Sequence, residues 1–295
     1  MLKKILVVGF IVIVGLSYAF TIVDDAGRLV ELADVPETAV IGAPAVTDFM
    51  IYLGLEEKIV GVTDWDEYAQ VGDVETIGNL VPINIEKILT LEPDIVFLTG
   101  GFQESEADKL TKYGLDVVVI NPNTFEEIYK DIVQIAAIFG ENKKGKSLAD
   151  NFKKKYLEIA KKTHSVPNEQ KPTVLYTMIT GEMKEIWTCG TGSFINQVIT
   201  YAGGVNVAAP YTGNNGWFPI NAEFVLQNNP DIILVPYYND EKRTVELIKN
   251  YPPFESVKAV VKGNVFGVPD SMVAHTDPES IKLLGLLHNL FYEKE

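Results

Sequence analysis

The sequence predicts an α/β fold of two lobes, each with a mostly parallel sheet flanked by helices, joined by one long rigid helix. Three observations carry that expectation. A sixteen-residue segment occurs twice, as Ile83–Leu98 (INIEKILTLEPDIVFL) and Ile220–Val235 (INAEFVLQNNPDIILV), with seven positions identical. In each copy a short helix runs into a β-branched apolar strand, and such continuous hydrophobicity marks a strand covered on both faces of a parallel sheet. Between the copies, Lys144–Thr163 places Leu148, Phe152, Tyr156, Ile159 and Ala160 on one stripe, the pattern of a single amphipathic helix about 30 Å long.

Within each copy, Asn84 or Asn221 is a good N-cap, and Glu86 or Glu223 stands in the first turn, where the helix dipole favours an anion. Leu89 and Leu226 are expected to face the core. The prolines Pro93 and Pro230 then stop the helix. The remaining elements follow in order. Thr21–Leu32 reads as a hairpin around Asp-Ala-Gly, Thr38–Gly42 as a buried strand, and the stretch from Gly42 to Gly54 as a helix. Ile59–Thr63, Ile95–Thr99 and Val117–Ile120 are strands that end in Asp64-Trp65-Asp66, Gly100-Gly101-Phe102 and Asn121-Pro122-Asn123. Thr124 and Glu127 form a capping box for a helix to Gly140. The second lobe shows strands at Thr173–Thr177 and Val265–Val268, a helix entered through Gly190-Thr-Gly-Ser193, and a closing helix from Pro278 to Tyr292.

A chain of 295 residues with 47% hydrophobic and 22% charged residues has room for two full cores and no sign of wholesale disorder. Lys3 and Lys4, the apolar run Ile5–Leu16 and Ser17-Tyr18-Ala19 make residues 1–19 a secretory signal peptide, cut after Ala19. Its apolar stretch is shorter than the roughly 20 residues of a spanning helix. The domains then read as 20–140, a first lobe; 141–166, the linking helix; 167–277, a second lobe; and 278–295, the closing helix. Losing Lys3 and Lys4 makes the net charge of −15 more negative still, which disfavours nucleic acid and anionic membrane surfaces as partners. The single cysteine, Cys189, rules out an intrachain disulfide, and no cysteine follows the signal region to accept a lipid. The expected product is a soluble, monomeric protein of the periplasm or an equivalent extracytoplasmic space.

The hairpin TIVDDAGRLVEL, the strand-loop-helix around Gly42, Ile77-Gly78 and the linking helix form an ordered set with Gly192-Ser193-Phe194-Ile195 and the paired Asn-x-Glu…Pro-Asp segments. That set resembles the substrate-binding proteins of iron–siderophore, haem and cobalamin ABC importers over the whole mature chain. The resemblance implies two lobes with small closure motion and capture of a metal chelate for delivery to a membrane permease. It also implies that Glu86 and Glu223 dock onto permease arginines, one from each lobe. The alternative for both glutamates is simple dipole complementation, worth about 0.3–1 kcal/mol.

Ligands of open α/β sheets sit at the carboxyl ends of the strands. On the first lobe that criterion selects Ala45, Trp65, Asp66 and Phe102, and on the second Trp187, Ser193, Tyr211, Trp217, Tyr237, Tyr238 and His275. All three tryptophans fall at such positions, and aromatic rims suit a bulky organic chelate. Only two arginines exist, Arg28 and Arg243, so no arginine basket for a polyanionic catecholate or for haem propionates can be assembled. The ligand class is therefore a neutral or weakly charged iron or cobalt chelate, a ferric hydroxamate or a corrinoid, and no resident cofactor is expected. Bare transition-metal capture is disfavoured, because His164, His275 and His288 are spread over different elements. Haem held by Tyr237 or Tyr238 with His275, and an oxyanion on the backbone of Gly190–Ser193, stay open as alternatives. No nucleophile elbow, P-loop or zinc-protease motif occurs, so an enzyme would have to use an Asp/Glu pair in the cleft.

Overall fold

Runs of β-branched residues form the middle of each lobe, and the computed structural model describes them within residues 20–180 and 183–293. The expected signal peptide lies outside the described residues. The first lobe runs β1 (Phe20–Val23), β2 (Leu29–Leu32), β3 (Ala39–Ile41), α1 (Pro44–Leu53), β4 (Ile59–Val62), β5 (Glu75–Thr76), α2 (Ile85–Leu91), β6 (Ile95–Thr99), α3 (Glu104–Lys112), β7 (Val117–Ile120) and α4 (Phe125–Ile138). The linking helix is α5 (Asn142–His164). The second lobe begins with β8 (Thr173–Tyr176), β9 (Met178–Thr180), β10 (Glu185–Cys189), α6 (Phe194–Ala202), β11 (Val205–Asn206) and β12 (Trp217–Ile220). It continues with α7 (Ala222–Asn228), β13 (Ile232–Tyr237), α8 (Glu241–Lys249), α9 (Lys258–Val261), β14 (Val265–Pro269), α10 (Asp270–Ala274) and α11 (Ser280–Tyr292).

Two parallel sheets result, in the order β5-β4-β3-β6-β7 for the first lobe and β11-β8-β13-β14 for the second. The duplicated segment is α2 with β6 in one lobe and α7 with β13 in the other. Both asparagines cap as expected, Asn84 accepting from Lys87 N–H and Asn221 from Phe224 N–H at 3.0 Å each. The helices stop one residue before the prolines, where Glu92 (φ 47°) and Asn229 (φ 40°) take the left-handed conformation that caps a C-terminus. The repeated aspartates then have a shared purpose. Asp94 accepts from the N–H groups of Glu37 and Thr38 and from the Thr38 hydroxyl, which in turn accepts from Asp94 N–H. Asp231 makes the same reciprocal pair with Thr173 and adds an ion pair to Lys258. Each aspartate thereby fixes the start of the strand next to its own.

One helix face differs from expectation. Ile88 and Val225 are fully buried, whereas Leu226 is 42% exposed and Leu89 half-buried. In a seven-residue helix a one-residue offset turns the buried stripe by a quarter turn or more, so Ile88 and Val225 carry the packing. The larger departure is a third sheet. Strands β9, β10 and β12 pair antiparallel in the order β12-β10-β9, with Trp187 opposite Pro219 and Cys189 opposite Trp217. Cys189 is buried there, which pushes its thiol up to about 12, so it is a packed apolar group without a reactive thiolate.

The lobes share one core. The buried stripe of α5 (Gly145, Ala149, Phe152, Tyr156) lies against α4, and a side chain on Gly145 would run into Ala136. Phe125, at the start of α4, lies 5.0 Å from the Tyr156 ring, 5.1 Å from Phe194 and 5.6 Å from Tyr201, so one aromatic group spans α4, α5 and α6. Gln197 on α6 accepts from Phe125 N–H (2.8 Å) and donates to Glu126 (3.0 Å). Buried side chains connect continuously from Ile22 in the first lobe to Leu287 on α11. Among the described residues no helix is long and apolar enough to cross a membrane.

Candidate functional site

At the carboxyl ends of β3, β4, β6, β13 and β14 the two lobes face each other across a cavity of about 690 Å³. The first lobe contributes Pro44 and Ala45 at the start of α1, Trp65, Glu67 and Tyr68 after β4, and Phe102 after β6; the second contributes Tyr237, Tyr238, Asp270 and His275. Of the residues selected from the sequence, Ala45, Trp65, Phe102, Tyr237, Tyr238 and His275 meet here. Three rings stand open to it: Trp65 is 55% exposed, Phe102 58% and Tyr238 71%. The Trp65 indole N–H donates to Asn79 Oδ1 at 2.8 Å, which orients the ring.

A buried amide holds the first-lobe wall together. Gln103 donates to the carbonyls of Gly42 (2.7 Å) and Leu80 (2.9 Å) and accepts from Thr99 N–H (2.9 Å), so one side chain ties three wall segments next to Phe102. Gly42 itself has no room for a side chain, because a Cβ would come within 2.4 Å of Leu98.

Five selected residues lie elsewhere. Asp66 turns away from the cavity to accept from both the N–H and hydroxyl of Thr63 and from the Thr47 hydroxyl, so it shapes the loop that presents Trp65. Burial raises its carboxyl above the usual range, opposed by those hydrogen bonds and aided by nearby Asp48. Ser193 is buried as the N-cap of α6, accepting from Asn196 N–H. Trp187 lies within β10, its indole N–H 3.4 Å from Glu185, and Trp217 packs edge-on against Tyr176 at 5.7 Å. Tyr211 joins Phe218 and Phe224 in a separate surface groove. For the four second-lobe residues the reason is the antiparallel sheet: residues that read as strand-end loops are strand interiors or connections on another face. The N–H groups of Gly190, Thr191 and Ser193, considered for an oxyanion, already donate to the carbonyls of Gly216, Tyr211 and Gly190.

Under the cavity a polar group crosses between the lobes. Asp48 on α1 accepts from the Tyr68 hydroxyl at 2.6 Å and meets His275 Nδ1 at 3.2 Å. Asp277 lies 3.8 Å from the same imidazole and accepts from Glu279 N–H. Burial, then the neighbouring Asp48 carboxylate, push Asp277 well above the usual carboxyl range; burial and Asp48 likewise push the Tyr68 hydroxyl up. Ligand atoms of Asp48, His275 and Asp277 fall within 4.8 Å of one another, and among the described residues this is the one such group that includes a histidine. Internal hydrogen bonds already engage all three groups, which makes the trio a cross-lobe tie first.

Comparison with known proteins agrees with this architecture. The periplasmic binding protein family matches residues 40–272. An uncharacterized ABC transporter substrate-binding lipoprotein of Bacillus subtilis, YvrC, is 27% identical over 270 residues, covering 90% of this chain and 83% of that one. A vitamin B12-binding protein of Salmonella typhi is 30% identical over 195 residues, covering 65% and 70%. Among solved structures, a possible iron-binding (periplasmic solute-binding) protein from Staphylococcus epidermidis superposes with a TM-score of 0.76 at 22% identity, over 88% of this chain and all of the other. Matched from its first parallel strand to its last helix before the closing one, the chain belongs to the periplasmic binding protein family.

Proposed function

We propose that the protein is an extracytoplasmic receptor that captures an iron or cobalt chelate, a ferric siderophore or a corrinoid, between its lobes and hands it to the permease of an ABC importer. The observation that carries this reading is the inter-lobe cavity, with exposed aromatic faces from both lobes at the strand ends. The vitamin B12-binding relative favours the corrinoid. Glu86 and Glu223 suit the hand-over, because both are exposed in the first turn of equivalent helices. The receptor acts as a monomer, and binding leaves the chelate chemically unchanged.

Tryptophan fluorescence tests the site. Titration with cyanocobalamin and with a ferric trihydroxamate should give saturable quenching by one of them. Trp65→Phe should abolish most of that signal, while Trp187→Phe and Trp217→Phe keep it. Quenching that survives loss of Trp65 and disappears with Trp217 would move the site away from this cavity.

A further inference from the structure

We infer that the cavity selects ligands of net positive charge, an inference that rests on the chelate reading and narrows it. Two carboxylates line the cavity, Glu67 and Asp270, and no lysine or arginine does. Directly beneath stand three more carboxyl groups, Asp48, Asp66 and Asp277, tied into the walls through Thr63, Tyr68 and His275. The imidazole of His275 is the one basic side chain among the lining residues. Lys282 on α11 reaches toward Asp277 from below and is itself paired with Glu279.

An anion entering this space would meet Glu67 and Asp270 on the walls and Asp48 beneath, with no lysine or arginine among the lining residues to offset them. A cation would meet carboxylates of both lobes and the faces of Trp65, Phe102 and Tyr238, whose ring quadrupoles attract positive charge. Burial is the first cause of the raised carboxyls of Asp66 and Asp277, with Asp48 adding to it, so the charge that a ligand meets rests first on Glu67 and Asp270. Burial and a shared field of this kind act over the whole cavity, so the preference concerns the ligand's total charge more than one contact.

Two matched series read the charge with the shape held nearly constant. One is a ferric trihydroxamate bearing a free amine, its N-acetyl form and its N-succinyl form, running from cation to neutral to anion. The other is aquocobalamin below neutral pH, cyanocobalamin and sulfitocobalamin. Within whichever series binds, affinity should fall in that order, at least tenfold from cation to anion, and the cation's advantage should shrink with added salt. Glu67→Gln and Asp270→Asn together should reduce the spread several-fold, with the fold checked by circular dichroism. Equal affinities, or an anion that binds best, would overturn the inference while leaving the chelate reading intact. Binding of no member of either series would overturn the chelate reading, and the inference with it.

Discussion

Lys87 in the first copy of the duplicated segment pairs with Glu75 at the surface, whereas Phe224 at the equivalent place in the second copy stacks edge-on with Tyr211 and Phe218. Around that difference four features stay the same. The asparagine caps the helix, the glutamate faces solvent, the proline follows a left-handed cap, and the aspartate binds the threonine that starts the neighbouring strand. The capping asparagine, the proline and the strand-pinning aspartate have kept their residue type in both lobes, while the left-handed cap itself has changed from Glu92 to Asn229. Positions that meet a lobe's own neighbours have diverged, because β12 and its antiparallel partners exist only beside α7. The glutamates belong to neither group, since each is exposed and no backbone geometry requires it.

The largest effect should come from breaking the one shared feature without a packing reason. Glu86→Gln with Glu223→Gln should abolish uptake in cells while ligand affinity of the purified receptor stays within about twofold. If the two copies are functional equivalents, the single changes should each give comparable partial losses. Normal uptake by the double variant would leave helix-dipole complementation as their whole role.

The aspartate pins should come next. Asp94→Ala and Asp231→Ala should each lower unfolding stability by about 1–3 kcal/mol, since each leaves a threonine and its neighbours short of an acceptor. Asp231 should cost more, because it also holds Lys258. Burial alone would raise both carboxyls, but the hydrogen bonds win and hold both below the usual range. Their contribution is therefore complete above the unfolded carboxyl value, about pH 3.9, and is lost as pH falls through the lower folded values. Urea midpoints measured from neutral pH downward should show the wild type losing stability in that acid range and the alanine variants losing less. The smallest effects sharpen the divergent positions: Phe224→Ala should cost about 1–2 kcal/mol from a half-buried ring, and Lys87→Ala less than about 0.5 kcal/mol from an exposed pair.

What the sequence disclosed follows the range of the interactions involved. Asn84, Asn221 and Thr124 cap helices through bonds to residues three positions on, and such local geometry is legible in the letters. Trp187 and Trp217 were misplaced because their strands pair across a long excursion that turns at Asn214–Gly216, with Asn215 and Gly216 at positive φ. The run Glu185-Ile-Trp-Thr-Cys189, with two β-branched residues and an aromatic, is the signal of a strand that the sequence offers there. Tyr68, Asp48 and Asp277 could not be chosen in advance: Asp48 and His275 are separated by 227 positions, and nothing local marks either as a partner. Gln103 was equally silent, an ordinary amide at a helix entry whose three bonds exist only once Gly42, Leu80 and Thr99 have been brought together.

The aromatic group of Phe125, Tyr156, Phe194 and Tyr201 sets more than stability. Prising the lobes apart would bare those rings, so their packing favours one arrangement of α4, α5 and α6. On the proposed function, Glu86 and Glu223 would then be the two prongs of one plug of fixed gauge. A permease that took such a plug would tell loaded from empty by what shows at the mouth of the cleft, where Trp65 and Tyr238 stand.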